Sequence, residues 1–409
     1  MSALSDTAQQ ALAALGRADL VVGIPSFNNA ATIRQVVETA ATGLARYFPD
    51  RRAVVLNSDG GSTDGTPDAV RAAARPRTVP VLSFPYVGPS GKGTALRAVF
   101  EAATRLGARA CVVLDADLRS VTPEWIRQLA GPVLAGAADY VAPLYVRHKY
   151  DGTITNTLAY PLTRALYGVR VRQPIGGDFG LGAAVLATYL RQDVWHTDVA
   201  RFGIDIWMTT TAIVEGYRVH EAALGAKIHD PKDPAASLGP MLQQVVGTLF
   251  ALLARHVDRW WAVERSVPVP QHGTQAPVEP APVTVNLAAL IEGFREGAQA
   301  HGAVWRRLLA SATYEAVMAL AAQPPTPFTF PPALWARVVY DCAVAYCRQC
   351  ETQTVLAALT PLYFGRTAGL VVDTMALDGA AFEAYLEQQA QAFELEKPYL
   401  RARWASITA

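Results

Sequence analysis

The feature that most constrains the fold of this chain is a regular alternation of short apolar runs and amphipathic stretches between residues 20 and about 145. Each apolar run is typical of a buried strand, and each amphipathic stretch is typical of a helix. Such an alternation predicts an α/β fold with a mostly parallel sheet and helices on both faces. Ligands of such sheets bind beyond the carboxyl ends of the strands. The predicted strands are Leu20–Ile24, Ala53–Leu56, Pro80–Phe84, Ala110–Leu114 and Tyr140–Leu144.

Beyond residue 150 the pattern becomes mainly helical, apart from a strand-like run at Tyr217–Ala223. Residues 263–283 are rich in proline and cannot sustain a helix, so we expect a linker or arm there. We predict a domain over residues 1–262 (an N-terminal helix at 1–18, then parts 19–145 and 146–262), the linker at 263–283, and a helical C-terminal domain at 284–409.

The charge balance narrows the classes of partner. The chain has 36 basic and 35 acidic side chains, which excludes a broad electrostatic surface for nucleic acid or anionic lipid. With 51% apolar residues it can bury a sizeable core. The N-terminus lacks the features of a signal peptide, and no apolar stretch is long enough to span a membrane. We therefore expect a cytoplasmic protein with no membrane span and no nucleic-acid partner.

The fourth predicted strand is followed by two carboxylates, Asp115 and Asp117, with one residue between them. Their side chains leave an extended segment on the same side, where their charges repel. A hard divalent cation, bound by one or two carboxylates and by substrate phosphates, offsets this repulsion. The alternative is a pair of carboxylates that is merely solvated at the surface.

Two further loops follow predicted strands. Gly88–Thr94 is glycine-rich, carries Lys92 and begins a helix, an arrangement that favours an anion such as phosphate. It lacks the spacing of a nucleotide-binding P-loop, and no glycine fingerprint of dinucleotide binding follows the first strand. Small residues surround Asp59 after the second strand, where an ordinary turn is an equally good explanation. Together these residues predict a metal-assisted site for a nucleotide diphosphate.

These motifs resemble a known family. Ile24–Asn28, the Asp59–Thr66 run and Asp115-Ala116-Asp117 resemble the nucleotide-sugar glycosyltransferases of GT-A fold. Four later motifs are similar, in order, to retaining enzymes that make mannosylglycerate, glucosylglycerate or glucosyl-3-phosphoglycerate: Val121–Ile126, Gln173–Asp178, Phe202–Asp205 and Gly225–His229. The similarity covers about residues 19–265 and, more loosely, the helical tail. It implies a Rossmann-like GT-A domain with a nucleotide-sugar part at 19–145 and an acceptor part at 146–262.

The resemblance also implies roles for individual residues. Lys92 would contact the diphosphate, Asp205 would bind hydroxyls of the transferred sugar, and the Ile175 carbonyl would face the anomeric carbon, with Asp178 beside it. A helix-start carboxylate is the alternative for Asp205, and an exposed histidine is the alternative for His229. The resemblance implies that Mg²⁺ or Mn²⁺ is held by Asp115, Asp117 and His229. The implied nucleotide-sugar contacts are Pro25, Ser26, Asn28, Asp59, Lys92, Asp115 and Ala116.

The acceptor segment departs from the phosphoglycerate enzymes. Those enzymes carry an arginine where this chain has Thr153, and its loss removes a cation suited to phosphate. This favours an unphosphorylated hydroxy acid such as D-glycerate. Phosphoglycerate remains an alternative, because Arg147, His148, Lys149 and Arg164 lie nearby in sequence. The implied acceptor contacts are Gly152, Thr153, Thr155, Gly176 and Gly177.

The resemblance thus implies a metal-dependent, retaining transfer of glucose or mannose from a UDP- or GDP-sugar to a small carboxylate acceptor. Because related chains end in similar helices that pack on the catalytic domain or form a dimer, we expect a homodimer. A non-catalytic nucleotide-sugar-binding protein on the same fold is the alternative from another class.

Overall fold

The computed structural model describes residues 2–229, 239–274, 280, 282–324, 327–348 and 351–408. Part of the predicted linker, 275–279 and 281, therefore lies outside the described residues. The chain divides into two compact units. Unit 1 comprises Met1–Arg147, Val171–Asp230 and Val269–Ala281, and unit 2 comprises His148–Arg170, Pro231–Pro268 and Pro282–Ala409.

This division is not contiguous in sequence, whereas the predicted domains are. Residues 148–170 and 231–262, which the sequence analysis placed in the first domain, cluster with the helical tail, as do residues 263–268 of the predicted linker. The physical reason is side-chain burial, because every residue of Tyr160–Tyr167 is buried and this helix packs against Gly379–Leu395 of the tail. Residues 269–281 of the predicted linker cluster with unit 1 instead.

Unit 1 is built on an eight-stranded sheet in the order β10-β8-β5-β7-β4-β1-β2-β3. All neighbouring strands are parallel except β7, which runs antiparallel to both β4 and β5. The five predicted strands are all present, and the mostly parallel α/β prediction is confirmed. The sequence analysis did not predict β7 or β10. The strands are β1 (Leu20–Ser26), β2 (Ala53–Asp59), β3 (Val81–Pro85), β4 (Ala110–Val113), β5 (Tyr140–Val146), β7 (Phe179–Gly182), β8 (Val219–Ala226) and β10 (Gln271–His272).

Helices cover both faces of this sheet. Alternate residues of β1 point to opposite faces. Val22 belongs to the core that β1 forms with α2 and α5, while a Cβ at Gly23 would collide with Val99 of α4 on the other face. The helices of unit 1 are α1 (Asp6–Leu15), α2 (Ile33–Tyr47), α3 (Thr66–Arg71), α4 (Lys92–Arg105), α5 (Pro123–Leu134), α7 (Ala183–Arg191), α8 (Ile204–Val214) and a 3₁₀ turn at Asp198–Ala200.

Unit 2 is mainly helical, as the sequence predicted for the tail. It begins with a π-helical turn at Thr155–Ala159 and contains one two-stranded parallel pair, β6 (Val169–Arg170) with β9 (Val267–Pro268). Its helices are α6 (Tyr160–Tyr167), α9 (Gly239–Arg255), α10 (Val257–Ala262), α11 (Leu287–Leu308), α12 (Ser311–Ala322), α13 (Pro332–Cys347), α14 (Thr352–Thr374), α15 (Gly379–Leu395) and α16 (Lys397–Thr408).

The expectation that no apolar stretch is long enough to span a membrane is wrong for helix α14, which is long and apolar enough by length and composition alone. In the structure, however, 78% of its apolar window is buried. It also carries Pro361 and a completely buried arginine, Arg366. These features are typical of a core helix in a helical bundle.

Candidate active site

The candidate site of unit 1 lies beyond the carboxyl ends of β1, β2 and β4. Ser26 and Asp59, the last residues of β1 and β2, are buried register partners. The Ser26 hydroxyl donates to Oδ1 of Asp59 at 2.8 Å, and Nδ2 of Asn57 donates to the Ser26 oxygen at 2.8 Å. The backbone N–H groups of Gly61 and Ser62 donate to Oδ2 of Asp59 at 2.9 and 2.8 Å. Asp59 therefore fixes the glycine-rich loop as an Asx-type turn and links it to Ser26 of the neighbouring strand.

Asn28 joins the loops that follow β1 and β2. It has a left-handed φ of 55°, its N–H donates to the Ser62 hydroxyl at 2.8 Å, and its Oδ1 accepts from the N–H of Thr63 at 3.0 Å. Pro25 lies buried within β1. After β4, the buried Ala116 accepts a hydrogen bond at its carbonyl oxygen from a threonine hydroxyl of α2's N-cap. The predicted nucleotide-binding residues thus share one edge of the sheet.

Lys92 is held at the start of α4 by a close backbone approach. A Cβ at Gly93 would lie 1.8 Å from the carbonyl oxygen of Val199, so only glycine permits this contact. The Lys92 Nζ lies 2.9 Å from Oδ1 of Asp115 and 2.9 Å from Oδ2 of Asp205. The first turns of α4 and α8 and the segment after β4, which are distant in sequence, therefore meet at one lysine.

A second lysine, to which the sequence analysis gave no role, completes this cluster. The Lys227 Nζ donates to Oδ2 of Asp115 at 2.8 Å, to Oδ2 of Asp178 at 3.0 Å and to the Gly176 carbonyl at 2.7 Å. Only 4% of its side chain is exposed. The Tyr145 hydroxyl also donates to Asp178. Two signals were available in the sequence. Lys227 lies inside the Gly225–His229 motif, and a group of carboxylates needs a cation to offset its charge.

Burial and charge pairing set the protonation of this cluster. Burial raises the pKa of the Asp115 carboxyl, but Lys227 and Lys92 outweigh it and hold that pKa well below its usual range. Burial lowers the pKa of Lys92, and the Asp115 and Asp205 carboxylates raise it by more. For Asp178 and Asp205, burial is the larger effect, and both pKa values are raised. Asp115 is therefore an ionised bridge between two cations.

The 172–178 loop, which links the segment after β6 to β7, is held along its length. The Gln173 side chain accepts from the N–H of Tyr145 at 3.3 Å and donates to its carbonyl at 3.0 Å. The Thr209 hydroxyl donates to the Pro174 carbonyl at 2.6 Å. The loop is therefore preorganised before any ligand binds.

Two glycines let this loop pass close to Asp115. A Cβ at Gly176 would lie 2.2 Å from Cγ of Pro143, and a Cβ at Gly177 would lie 2.0 Å from Oδ2 of Asp115. Gly177 also has a φ of +94°, which favours glycine. The structure thus brings Ile175, Gly176 and Gly177 to the cluster that contains Asp115 and Asp178.

Asp117 differs from the other carboxylates of the site. Within the described residues its carboxylate has neither a hydrogen bond nor an ion pair, although it is half-buried. The following segment is paired with the one that carries His229, because Arg119 N–H donates to the Ile228 carbonyl at 2.9 Å. The His229 Nε2 lies 3.2 Å from a guanidinium nitrogen of Arg147.

These contacts test the predicted metal ligands. Both oxygens of Asp115 contact lysines, at 2.9 and 2.8 Å, so a metal ion bound to Asp115 would share these oxygens with Lys92 and Lys227. Across the described part of the chain, no group of three or more histidine, cysteine, aspartate or glutamate side chains is placed to hold a metal. The ligand set of Asp115, Asp117 and His229 therefore stays a prediction, and Mg²⁺ commonly takes its remaining ligands from other oxygens.

The structure does not place the predicted acceptor residues together in one unit. Gly176 and Gly177 lie in unit 1, whereas Gly152, Thr153 and Thr155 lie in unit 2. Thr153 and Thr155 are buried, and the Thr153 hydroxyl lies 2.5 Å from the Tyr363 hydroxyl. The Thr153 hydroxyl therefore already has a hydrogen-bond partner inside unit 2.

The chain is similar to a known protein family and to known structures. Residues 21–193 match the profile of Glycosyl transferase family 2. The glucosyl-3-phosphoglycerate synthase of Mycobacterium tuberculosis, solved in complex with phosphoglyceric acid, is 27% identical, with 62% of this chain and 85% of that chain covered and a TM-score of 0.45. The same enzyme with Mn²⁺, UDP and glucosyl-3-phosphoglycerate is 26% identical over the same shares, with a TM-score of 0.44. No curated protein matches the sequence.

The family match covers the segment that contributes most of the cluster. Asp59, Lys92, Asp115, Asp117 and Asp178 all lie within it. Over residues 21–193 the chain is therefore similar to Glycosyl transferase family 2.

Proposed function

We propose that the protein transfers glucose or mannose from a UDP- or GDP-sugar to a small hydroxy acid such as D-glycerate, with retention of the anomeric configuration. One observation carries this proposal: Lys92 and Lys227 share Asp115 at the carboxyl edge of the sheet, beside the unpartnered carboxylate of Asp117. Lysines and an unpartnered carboxylate at one strand edge suit a donor diphosphate that arrives with a divalent cation.

The donor would be held by residues from three loops. Ser26, Asn28 and Asp59 form the joined loops that would receive the nucleoside. Lys92, which stays cationic because its pKa is raised, would stabilise charge that develops on the departing diphosphate. Asp117 and His229 would hold Mg²⁺ or Mn²⁺, which supplies Lewis-acid neutralisation of that diphosphate when bound. This cofactor agrees with the Mn²⁺ in the mycobacterial complex.

Asp205 would bind a hydroxyl of the transferred sugar. Its Oδ2 accepts from Lys92, whereas its Oδ1 is buried and has no hydrogen-bond partner among the described residues. Buried polar atoms are nearly always hydrogen-bonded, so an unpaired oxygen beside a ligand site is suited to a ligand hydroxyl.

Retention is proposed through front-side displacement. Asp178 is not free to act as a covalent nucleophile, because its oxygens accept from Tyr145, Lys227 and the Asp115 N–H. In the proposed step the acceptor oxygen bonds to the anomeric carbon while the bond to the diphosphate oxygen breaks. The acceptor proton passes to the departing diphosphate, which balances the charge.

The acceptor is proposed to lack a phosphate. Thr153 replaces the arginine of the phosphoglycerate enzymes, and two of the four neighbouring cations, Lys149 and Arg164, have other partners in unit 2. Arg164 is 2.5 Å from Glu387 and 2.8 Å from Glu394, and the Lys149 Nζ donates to three backbone carbonyls after α14. This supports glycerate over phosphoglycerate.

The proposal is tested by NMR of the products. The protein is incubated with Mg²⁺, a mixture of UDP-glucose and GDP-mannose, and either D-glycerate or 3-phosphoglycerate. We expect an α-linked glycoside on D-glycerate only, which identifies the sugar and the stereochemistry. Product on 3-phosphoglycerate only would overturn the proposed acceptor, and a β-linked product would overturn retention. No transfer to any acceptor would leave a sugar-nucleotide binder in place of the proposed enzyme.

We also propose that the protein is a cytoplasmic homodimer without nucleic-acid or membrane partners. The dimer rests on the resemblance of the helical tail to relatives that use theirs for packing or dimerisation. Sedimentation velocity tests it, because a monomer at micromolar concentration would contradict it.

A further inference from the structure

The predicted linker contains a sheet strand with specific side-chain contacts. Strand β10 lies parallel to β8 at the edge of the large sheet, with Gln271 opposite Glu221 and His272 opposite Ala222. The N–H of Glu221 donates to the Pro270 carbonyl at 2.9 Å. This segment is therefore a structured part of unit 1.

A histidine pair adds to this attachment. Nδ1 of His220 lies 2.7 Å from Nε2 of His272, and the two rings stack with centroids 5.0 Å apart. Such a contact needs at least one ring to be neutral. It attaches β10 to β8 through side chains as well as through backbone.

The carboxyl group of Glu221 contacts both β10 and the 172–178 loop. Its Oε1 accepts from the N–H of Arg172 at 2.6 Å, and its Oε2 accepts from Nε2 of Gln271 at 3.4 Å. Glu221 is only 2% exposed. A buried carboxyl group needs its hydrogen bonds, so its position depends on both neighbours.

Arg172 is the first residue of the loop whose other end is Asp178. The loop is held at Gln173 by the Tyr145 backbone and at Gly176 by Lys227. These contacts leave the 172–178 loop little freedom to adjust. A displacement of Arg172 would therefore also move the residues that follow it in the loop.

We propose that strand β10 is a positioning element of the active site, which acts through Glu221 to fix the start of the 172–178 loop. This inference rests on the proposed function, since Ile175 to Gly177 are there placed beside the anomeric carbon. Glu221 is a positioning residue in this account and touches no substrate.

Amide hydrogen exchange tests whether Glu221 and β10 fix the 172–178 loop, and it needs no measurement of enzymatic activity. In Glu221→Leu, which removes both acceptor oxygens, we expect amides of residues 172–178 to exchange roughly tenfold faster. Glu221→Gln keeps an acceptor for Arg172 and should retain protection. His272→Ala should raise exchange in the same loop, although it does not touch it. Unchanged exchange in both Glu221→Leu and His272→Ala would overturn the proposal.

Kinetics test the functional half. We expect Glu221→Leu to lower kcat by about 10- to 100-fold, with the KM for the sugar nucleotide changed by less than about threefold. His272→Ala should lower kcat in the same direction, and the double variant should be no worse than Glu221→Leu, because both changes act through one contact. If the losses of kcat in the two single variants added up in the double variant, His272 would not act through Glu221.

The matched control is Glu264→Leu, which makes the same change at an exposed position in the same proline-rich segment. It should leave both exchange and kcat unchanged. If the wild-type protein shows no transfer, the proposed function fails while the exchange result still decides the role of β10. If the wild type is active and the Glu221→Leu kcat is normal, the positioning role alone fails.

Discussion

Asp117 is the residue on which the cation-binding part of the proposal depends. It is the half-buried carboxylate that the structure leaves without a partner among the described residues of the site, while Asp115 is neutralised by two lysines. We expect Asp117→Asn to reduce turnover at least about 100-fold, since a bound cation commonly supplies several kcal/mol of charge stabilisation. Mn²⁺ binding measured by electron paramagnetic resonance should weaken in parallel.

The control for this prediction is Asp193→Asn, whose side chain is 97% exposed. It should bind Mn²⁺ and turn over as the wild type does. If instead Asp117→Asn bound Mn²⁺ normally and Asp115→Asn did not, the assignment of the ligand carboxylate would be reversed.

Glu221 predicts a pH dependence of stability. Burial raises the pKa of its carboxyl from 4.5 to about 7, against smaller opposing effects of Arg172 and Gln271. The folded state therefore binds this proton more tightly than the unfolded state. Its contribution to stability is complete below about pH 4.5 and is lost as the pH rises through about 7.

We therefore expect Glu221→Gln to stabilise the protein at alkaline pH, by up to about 3 kcal/mol, because each pKa unit corresponds to about 1.4 kcal/mol. Near pH 5 the variant and the wild type should be nearly equal. Urea unfolding at the two pH values measures this. A constant difference between the proteins at both values would show that Glu221 does not titrate in this range.

Some of the individual residues of the candidate active site could be predicted from the sequence. Lys92, Asp115 and Asp178 do come together, because strand-end residues of a parallel sheet share one edge. Lys227 was given no role although it lies in the Gly225–His229 motif, and Glu221 was not predicted because a single glutamate in an apolar strand carries no motif. Their roles depend on which loops meet them, and that is decided by tertiary packing.

Among the structural elements, the 172–178 loop depends most on glycine. Gly177 has a positive φ and sits where a Cβ would meet Asp115. We expect Gly177→Ala to lower kcat by about 100-fold, since small displacements of reacting groups have effects of that size. Gly216→Ala is the matched control, because Gly216 has a φ of +77° but open space around it.

Gly216→Ala should cost about 1–2 kcal/mol of stability, the usual cost of a left-handed conformation for an L residue. Gly177→Ala should cost more, because its Cβ would also lie 2.0 Å from Oδ2 of Asp115. Only Gly177→Ala should lose activity beyond this. Steady-state kinetics with thermal unfolding of the same samples separates the two effects. Equal activity in the two variants would contradict the close packing at Asp115.

The elements also show where sequence patterns stop being informative. Leu20–Ile24 and Ala53–Leu56 were predicted because each is an apolar run of strand length, and both form strands. Strand β7 has the sequence Phe-Gly-Leu-Gly and β10 is two residues between proline and glycine. Neither has an intrinsic strand preference, so their pairing with neighbours creates them.

On the scale of the whole molecule, the helical prediction for the tail is confirmed, but the chain reaches unit 2 twice before the tail begins. The order of the segments in the sequence does not indicate this, because the helical patterns of α6, α9 and α10 do not show which unit each helix packs in. These helices belong to unit 2 because their side chains are buried against its other helices. Such packing exists only in the folded chain.

The stability of unit 2 should depend on Arg366 in α14. Its guanidinium is fully buried and donates to the Phe330 carbonyl at 2.8 Å, to the Tyr385 hydroxyl at 2.7 Å and to Gln389. Arg366→Met would leave these buried acceptors unpaired. We expect a loss on the order of 3 kcal/mol in urea unfolding.

Arg307→Met is the control for this prediction, since the Arg307 side chain is 66% exposed and its distance to Glu351 is 3.8 Å. A surface substitution of this kind should change stability by less than about 0.5 kcal/mol. If the two variants were equally stable, the hydrogen bonds of Arg366 would not be holding the bundle together.

The reversed direction of β7 has a consequence for how such a site can diversify. Because β7 runs against β4 and β5, its first residues face the same edge as the last residues of its neighbours. The loop that enters β7 is held by hydrogen bonds at both ends. If these bonds are kept, one inserted or deleted residue would shift the register of β7, and its side chains would then point to the opposite face of the sheet. Changes of side chain around this loop should therefore be tolerated more easily than changes of its length.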